Sequence, residues 1–138
     1  AVASYTGTAA AEGRSLGITV NAISPLAITR QSQRFFFDSG VVDPSDEAAI
    51  RHLAPEINVP LVVYLASDLS EHLTGRIFRV TADGFDAAAP IRIKELWSTS
   101  NDGVASTSWT VDAVASHKSE IAVELPPDAV GRAVETYR

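Results

Sequence analysis

Gly17-Ile18-Thr19-Val20-Asn21-Ala22-Ile23-Ser24-Pro25 decides how this chain is read. A glycine turn, a run rich in β-branched residues and an abrupt proline spell turn, strand and stop. Proline cannot donate to a sheet ladder, so it ends the strand. The near-continuous apolar run over residues 18–24 predicts a strand covered on both faces. Just upstream, Glu12-Gly13 closes an alanine-rich stretch in which Ala1, Ala3, Ala9, Ala10 and Ala11 are strong helix formers. Helix, turn, strand and loop make one step of a parallel α/β sheet. Such sheets bind ligands in the crevice outside the carboxyl ends of their strands.

Working outward, residues 1–15 read as a helix already under way. No Ser, Thr, Asp or Asn precedes Ala1, so the helix is expected to lack its natural beginning. Its small side chains suit close packing, either in a core or across a subunit interface. Downstream of Pro25, residues 30–37 predict a short helix ending in Phe35-Phe36-Phe37. Asp43-Pro44-Ser45-Asp46-Glu47 opens another, with Asp43 as its cap and Pro44 at its first position. Residues 58–73 carry the clearest helical spacing. Val59, Val62, Val63, Ala66, Leu69 and Leu73 form one apolar stripe, Asn58 is placed to cap it, and Pro60 is tolerable in the first turn.

Thr74-Gly75 then turns the chain into a second predicted strand at residues 76–81, ended by Ala82-Asp83-Gly84. The first and second predicted strands are expected to be parallel neighbours. Ile91, Ile93 and Trp97 alternate as in a half-exposed strand. Asn101-Asp102-Gly103 is a turn signal. Thr110 opens a helix around residues 111–119, and Pro126-Pro127 breaks the helical pattern.

Composition limits the partners. The 138 residues carry a net charge of −6, with only Lys94 and Lys118 among the lysines and no clustering of the arginines. A nucleic-acid surface needs clustered cations, so none is expected. With 46% hydrophobic residues the chain reads as an ordinary globular protein. Its apolar runs fall far short of the roughly 20 residues that span a bilayer. No signal-peptide pattern opens it, and a cytoplasmic protein with no membrane association is expected. There is no Cys, which excludes disulfides and thiolate metal sites. His52, His72 and His117 are dispersed and read as surface residues, and no metal ligand set is expected. Asp43, Asp46 and Glu47 read as a solvated helix start. Trp97 and Trp109 read as anchors that tie the later segment to the core.

An ordered series of words resembles the second half of the short-chain dehydrogenase/reductase family. They are Ala10-Ala11-Glu12-Gly13, residues 17–25, Pro60-Leu61-Val62-Val63-Tyr64-Leu65-Ala66-Ser67-Asp68 and Thr74-Gly75-Arg76-Ile77-Phe78. Beyond Gly84, Glu95-Leu96-Trp97 and Ser108-Trp109-Thr110 look like the extension of a bacterial subgroup similar to the 3-hydroxyacyl-CoA dehydrogenase part of peroxisomal multifunctional enzymes. The resemblance implies an α/β fold that is the C-terminal part of a Rossmann-like doubly wound parallel sheet with a C-terminal extension. Residues 1–84 would form the sheet portion and residues 85–138 the extension. It also implies that Pro25, Leu26, Ile28 and Thr29 border the cofactor, NAD or NADP. The backbone of Ile28 and the side chain of Thr29 would face the nicotinamide carboxamide, with Arg30 and residues 31–40 beside the substrate.

Two departures from the family pattern set the functional expectation. The glycines at 7, 13, 17, 40, 75, 84, 103 and 131 contain no Gly-rich phosphate turn. The family's acid–base pair is a Tyr followed four residues later by Lys. Tyr5 is followed at that offset by Ala9 and Tyr64 by Asp68, while Tyr137 lies at the end. Aligning Glu12-Gly13 on the family pattern puts the missing Lys just upstream of Ala1. The loop also has Pro25-Leu26 where the family usually has Pro-Gly. The expectation is therefore part of an NAD(P)-dependent oxidoreductase for a carbonyl or secondary alcohol, such as a 3-oxoacyl or 3-hydroxyacyl thioester. It should be inactive alone, supply no catalytic residue of its own, and belong to a homo- or hetero-oligomer that takes a small-molecule or acyl-CoA substrate. The alternative from another class is a non-catalytic structural or binding subunit whose sheet a different chain completes.

Overall fold

The computed structural model describes residues 1–96 and 102–122. The first helix, α1 (Val2–Gly13), runs into a 3-10 turn at Arg14–Leu16 that Gly17 closes in the left-handed conformation, φ 70°. Glycine adopts that φ without the Cβ penalty of other residues. Strand β1 (Ala22–Ser24) follows, then α2 (Gln33–Asp38), α3 (Glu47–His52) and α4 (Val59–Leu65). Strands β2 (Ile77–Ala82), β3 (Ile91–Glu95) and β4 (Val104–Ser106) complete the sheet, and α5 (Val111–Ser116) and α6 (Lys118–Ile121) close the described chain.

The sheet has four strands in the order β1-β2-β3-β4. As expected, β1 and β2 are parallel, with Ala22, Ile23 and Ser24 opposite Ile77, Phe78 and Arg79. A parallel pair needs a long crossover, and α2, α3 and α4 supply it. The parallel character stops there, because β2–β3 and β3–β4 are antiparallel. The protein is thus α/β with a mixed sheet, and the strands beyond Gly84 extend the same sheet. Strand β3 ends at Glu95, with Leu96 in a turn; Trp97, Asn101 and the Pro126-Pro127 break lie outside the described residues.

One sheet face carries the core. Phe78 and Val80 alternate inward on β2, Val80 lies opposite Ile93, and Ile91 shares that face of β3, all at most 3% exposed. Leu53, Leu61, Tyr64, Val114 and Ile121 pack into the same cluster from the helices. Each such side chain contributes roughly 1.5–3 kcal/mol by leaving water. The opposite face presents Ile77, Arg79, Thr81, Arg92 and Lys94, none of them buried. At the end of the inward face, Arg76 Nη1 donates to both carboxylate oxygens of Glu95 at 2.7 and 2.8 Å.

Several local expectations are corrected. The ladder of β1 covers only residues 22–24, and Ile18 is half exposed. Beyond the ladder, the Gly75 N–H donates to the Val20 carbonyl at 2.7 Å, and side chains also hold residues 20 and 21. Val20 N–H donates to Thr74 Oγ1 at 3.0 Å, and Asn21 Nδ2 donates to the Leu73 carbonyl at 2.9 Å. Asp46, not Asp43, caps α3 by accepting the Ala49 N–H at 2.9 Å. Asp43 instead accepts from both the N–H and Oγ of Ser45, an Asx turn that takes Pro44 out of the helix.

The long helix of residues 58–73 breaks at Leu65 and resumes only as a 3-10 turn at Asp68–Ser70. Ser67 and Ser70 explain the break, since their hydroxyls donate to the carbonyls of Tyr64 and Leu65 and compete with helix continuation. Most of the stripe turns outward as well, although Leu73 at its end joins the core. Val59, Val62, Val63 and Leu69 are 44–51% exposed, and Leu61 and Tyr64 face the core.

The later segment follows its sequence signals more closely. Thr110 Oγ1 accepts the Ala113 N–H and caps α5, and Trp109 Nε1 donates to the Ile91 carbonyl at 2.7 Å. Strand β4 is not legible in the sequence. Its approach depends on Gly103, where φ is 69° and any Cβ would overlap the Ile93 carbonyl oxygen.

Candidate functional site

Because β1 and β2 are parallel, the loops that leave their carboxyl ends meet at one end of the sheet. Phe36 of α2 and Phe85 of the loop after β2 bring them together, with ring centroids 5.9 Å apart. The four residues expected to border a cofactor lie in the first of these loops. Pro25 and Thr29 are exposed, Leu26 is half-buried and Ile28 is buried.

The main chain of this loop is tied at successive positions. The Leu26 carbonyl accepts from Asn58 Nδ2 at 2.8 Å. The Ala27 carbonyl accepts from Ser32 Oγ at 2.8 Å. The Ile28 N–H donates to the Leu53 carbonyl at 2.8 Å, so that donor is engaged within the protein and its side chain packs into the core.

Thr29 is engaged locally too. Its N–H donates to Ser32 Oγ at 2.9 Å, and its own Oγ1 accepts the Ser32 N–H at 3.2 Å. Two hydroxyl residues three apart satisfy each other's amides, a reciprocal cap that starts the helical turn leading into α2. The Gln33 N–H then bonds to the Thr29 carbonyl at 2.8 Å. Thr29 is an exposed residue, and its Oγ1 also lies 3.1 Å from Ser32 Oγ. Arg30 follows it, also exposed.

A second feature lies elsewhere on the chain. An open groove of about 390 Å³ is lined by Thr19, Asn21, Ile23, Val62, Leu65 and Ala66, among others. It contains none of Pro25, Leu26, Ile28 or Thr29 and no titratable side chain. It runs beside the edge of β1 that has no strand partner among the described residues. Its apolar wall includes the outward-facing Val62.

The groups available for proton transfer are few. Tyr64 is 1% exposed, and its hydroxyl has no hydrogen-bond partner among the described residues. Burial raises its pKa above the usual tyrosine value. A phenol sealed in the core in this way cannot meet a substrate. Tyr5 is exposed on α1, and no lysine follows it at helical spacing.

The histidines divide. His72 is exposed and His117 Nδ1 lies 2.9 Å from Glu120 Oε1, whereas His52 is half-buried with Nε2 2.7 Å from the Ala89 carbonyl. His52 is thus a packing residue rather than the surface residue expected. Among the described residues no three His, Cys, Asp or Glu side chains gather in a way that could hold a metal ion. No described helix is long and apolar enough to cross a membrane.

Sequence reasoning misses the roles of Asn58, Leu53 and Ser32. Asn58 stands where a helix cap is expected, but its side chain makes no capping bond to α4. Ser32 carries a usable signal, because Thr29 and Ser32 stand three apart just before the Phe triplet. Leu53 acts through its carbonyl, which no side-chain pattern reveals. No protein-family model, curated protein or solved structure matches the chain.

Proposed function

We propose that this chain is the rear portion of a short-chain dehydrogenase/reductase with a Rossmann-like, doubly wound sheet. In that reading the loop at residues 25–29 borders the nicotinamide of NAD or NADP. The reaction is hydride transfer between the cofactor and a carbonyl or secondary alcohol, with a 3-oxoacyl or 3-hydroxyacyl thioester as the favoured class. The observation that carries the reading is the parallel β1–β2 pair with its helical crossover and an ordered loop at the carboxyl end of β1. Ligands of open α/β sheets bind at such ends.

The edge of β1 left without a strand among the described residues supports a further strand beside it, as a doubly wound sheet requires. In the complete protein the cofactor would supply the hydride chemistry. Thr29 Oγ1 is the loop's exposed side-chain hydroxyl for orienting the carboxamide, and buried Ile28 fixes the depth of the loop. The phosphate cradle and the proton-transferring Tyr–Lys pair come from outside this chain. The test is the coding sequence preceding Ala1. A Tyr followed four residues later by Lys, with a Gly-rich strand-to-helix turn further upstream, is the expected result, and codons for neither would overturn the reading.

The same open edge also favours a second reading, a non-catalytic subunit whose sheet another chain completes. Purification of a stable stoichiometric complex with a different polypeptide, without nucleotide turnover, distinguishes it.

A further inference from the structure

We infer that Asn58 is the positioning residue of the loop at residues 25–29, setting the loop's main chain from the helical side of the fold. Its functional meaning rests on the proposal that this loop borders a cofactor; the clamp itself stands on geometry alone.

Asn58 is 7% exposed, and both protons of its amide nitrogen are used, toward the Leu26 carbonyl at 2.8 Å and the Pro55 carbonyl at 3.1 Å. The two acceptors fix the orientation of the amide, because the flipped form would press its oxygen against two carbonyl oxygens. That orientation leaves Asn58 Oδ1 buried with no partner among the described residues. A capping asparagine would turn its oxygen to the first amides of its helix. Here that use is forgone and the side chain spans 32 positions of sequence to hold the loop.

The neighbouring bonds make the consequence specific. Ser32 ties the loop to the turn that comes after it, whereas Asn58 and the Leu53 carbonyl tie it to the segment leading into α4. Of these last two anchors only Asn58 acts through a side chain, so only it can be removed by substitution. With Leu26, Ala27 and Ile28 each bonded, the loop is a preset wall and not a flap that closes over a ligand. Preset geometry is what a site needs to orient a reacting group without ordering itself first.

The test is amide hydrogen exchange on the full chain, followed residue by residue. Asn58→Asp keeps the shape but sets a carboxylate against two carbonyl oxygens. The protection factor of the Ile28 N–H is expected to fall at least about tenfold at neutral pH, while Phe78 and Val80 in β2 keep theirs, as local opening allows. Acidification returns one donor to the side chain. Recovery at Ile28 is expected to begin above the ordinary carboxylate range, because burial disfavours the charged form. Asn58→Ala, the second variant should the first fail to fold, is expected to show the same local loss without recovery in acid.

Unchanged protection at Ile28, or equal loss at Ile28 and in β2, would overturn the inference. In a longer chain that carries a Tyr–Lys pair, a released loop with unchanged kcat and KM for the nucleotide would remove the functional reading and leave the clamp standing.

Discussion

The side-chain oxygen of Asn21 accepts the backbone N–H of Arg76 at 3.1 Å, joining the approach to β1 with the start of β2 across 55 positions of sequence. The same amide donates to the Leu73 carbonyl at 2.9 Å, so one side chain holds both ends of the turn that contains Gly75. The parallel register begins immediately afterwards, at Ala22 and Ile77. Replacing Asn21 by Ala removes both bonds from the main chain of two buried residues, Leu73 and Arg76. Urea unfolding should show a loss of about 1–3 kcal/mol, the usual cost of orphaned partners. A loss under about 0.5 kcal/mol, as at an indifferent surface site, would contradict this role.

Arg76 and Glu95 meet at the end of the core face with side chains 10% and 14% exposed. Glu95→Ala takes this carboxylate from a largely desolvated guanidinium and should cost about 3–5 kcal/mol. The double substitution Arg76→Met, Glu95→Leu should recover most of that, since apolar replacement of a buried pair is often neutral. A thermodynamic cycle on Arg76→Met, Glu95→Leu and their combination measures the coupling, and additive effects would refute it.

Tyr64 buries a hydroxyl that gains no bond among the described residues. Tyr64→Phe should therefore be neutral or raise stability, by up to about 1 kcal/mol. The pH dependence has a definite sign. Burial raises the folded-state pKa of an acid whose charged form is excluded from the core. The stability from the neutral phenol is complete below the unfolded value near 10. It is lost as pH climbs through the folded value. Denaturation titrated upward from pH 9 should show a steeper alkaline decline for the native chain than for Tyr64→Phe, and identical profiles would exclude this ionisation as the cause.

The purified chain should not turn over NADH or NADPH with any carbonyl substrate. It carries no Gly-rich phosphate turn, Tyr64 is sealed, and neither Tyr5 nor Tyr64 is followed by a lysine four residues on. Absorbance at the reduced-nicotinamide band over a panel of ketones and 3-oxoacyl thioesters is the measurement. Turnover that co-purifies with the chain would refute the reading.

Edge pairing is the expected route of association. The main-chain groups of Val20 and Ala22 turn toward residues 74–76, so by strand alternation those of Thr19, Asn21 and Ile23 turn toward the groove. Residues 18–24 carry no charge or proline to blunt that edge. Thr19→Lys, at an exposed position, should lower the self-association measured by sedimentation velocity while leaving the unfolding midpoint nearly unchanged. Equal association of both forms would exclude this edge.

How far the sequence can be read depends on how local the deciding interaction is. The β1–β2 pair is legible because β-branched runs and their glycine and proline borders are local signals. Thr110 is legible as a cap for the same reason. Asp43 competes with Asp46 for one cap, and Ser45 decides between them by giving Asp43 two nearer donors. The Val59–Leu73 stripe misleads over all but its last member because spacing reports a face and not what lies against it; Leu61 and Tyr64 form the buried face, and only Leu73 of the stripe joins the core. Strand β4 has only three residues, Val104-Ala105-Ser106, and exists through its register with β3. The site loop is found from its place after Pro25. Its anchors stay hidden because Asn58 and Leu53 act from 32 and 25 positions away on Leu26 and Ile28.

The two ends of the four-stranded sheet are unlike, and that asymmetry governs what a polymer of this protein would look like. Joining β1 to β1 of a second copy about a twofold axis uses the β1 margin of each copy, so that contact closes at a dimer. Joining β1 to β4 of the next copy leaves one fresh margin at every step, and the product is a filament of unlimited length. β1 and β4 each have three ladder residues, but the uncharged run over residues 18–24 lengthens the β1 margin, and that tilts the molecule toward the self-limiting β1–β1 pair.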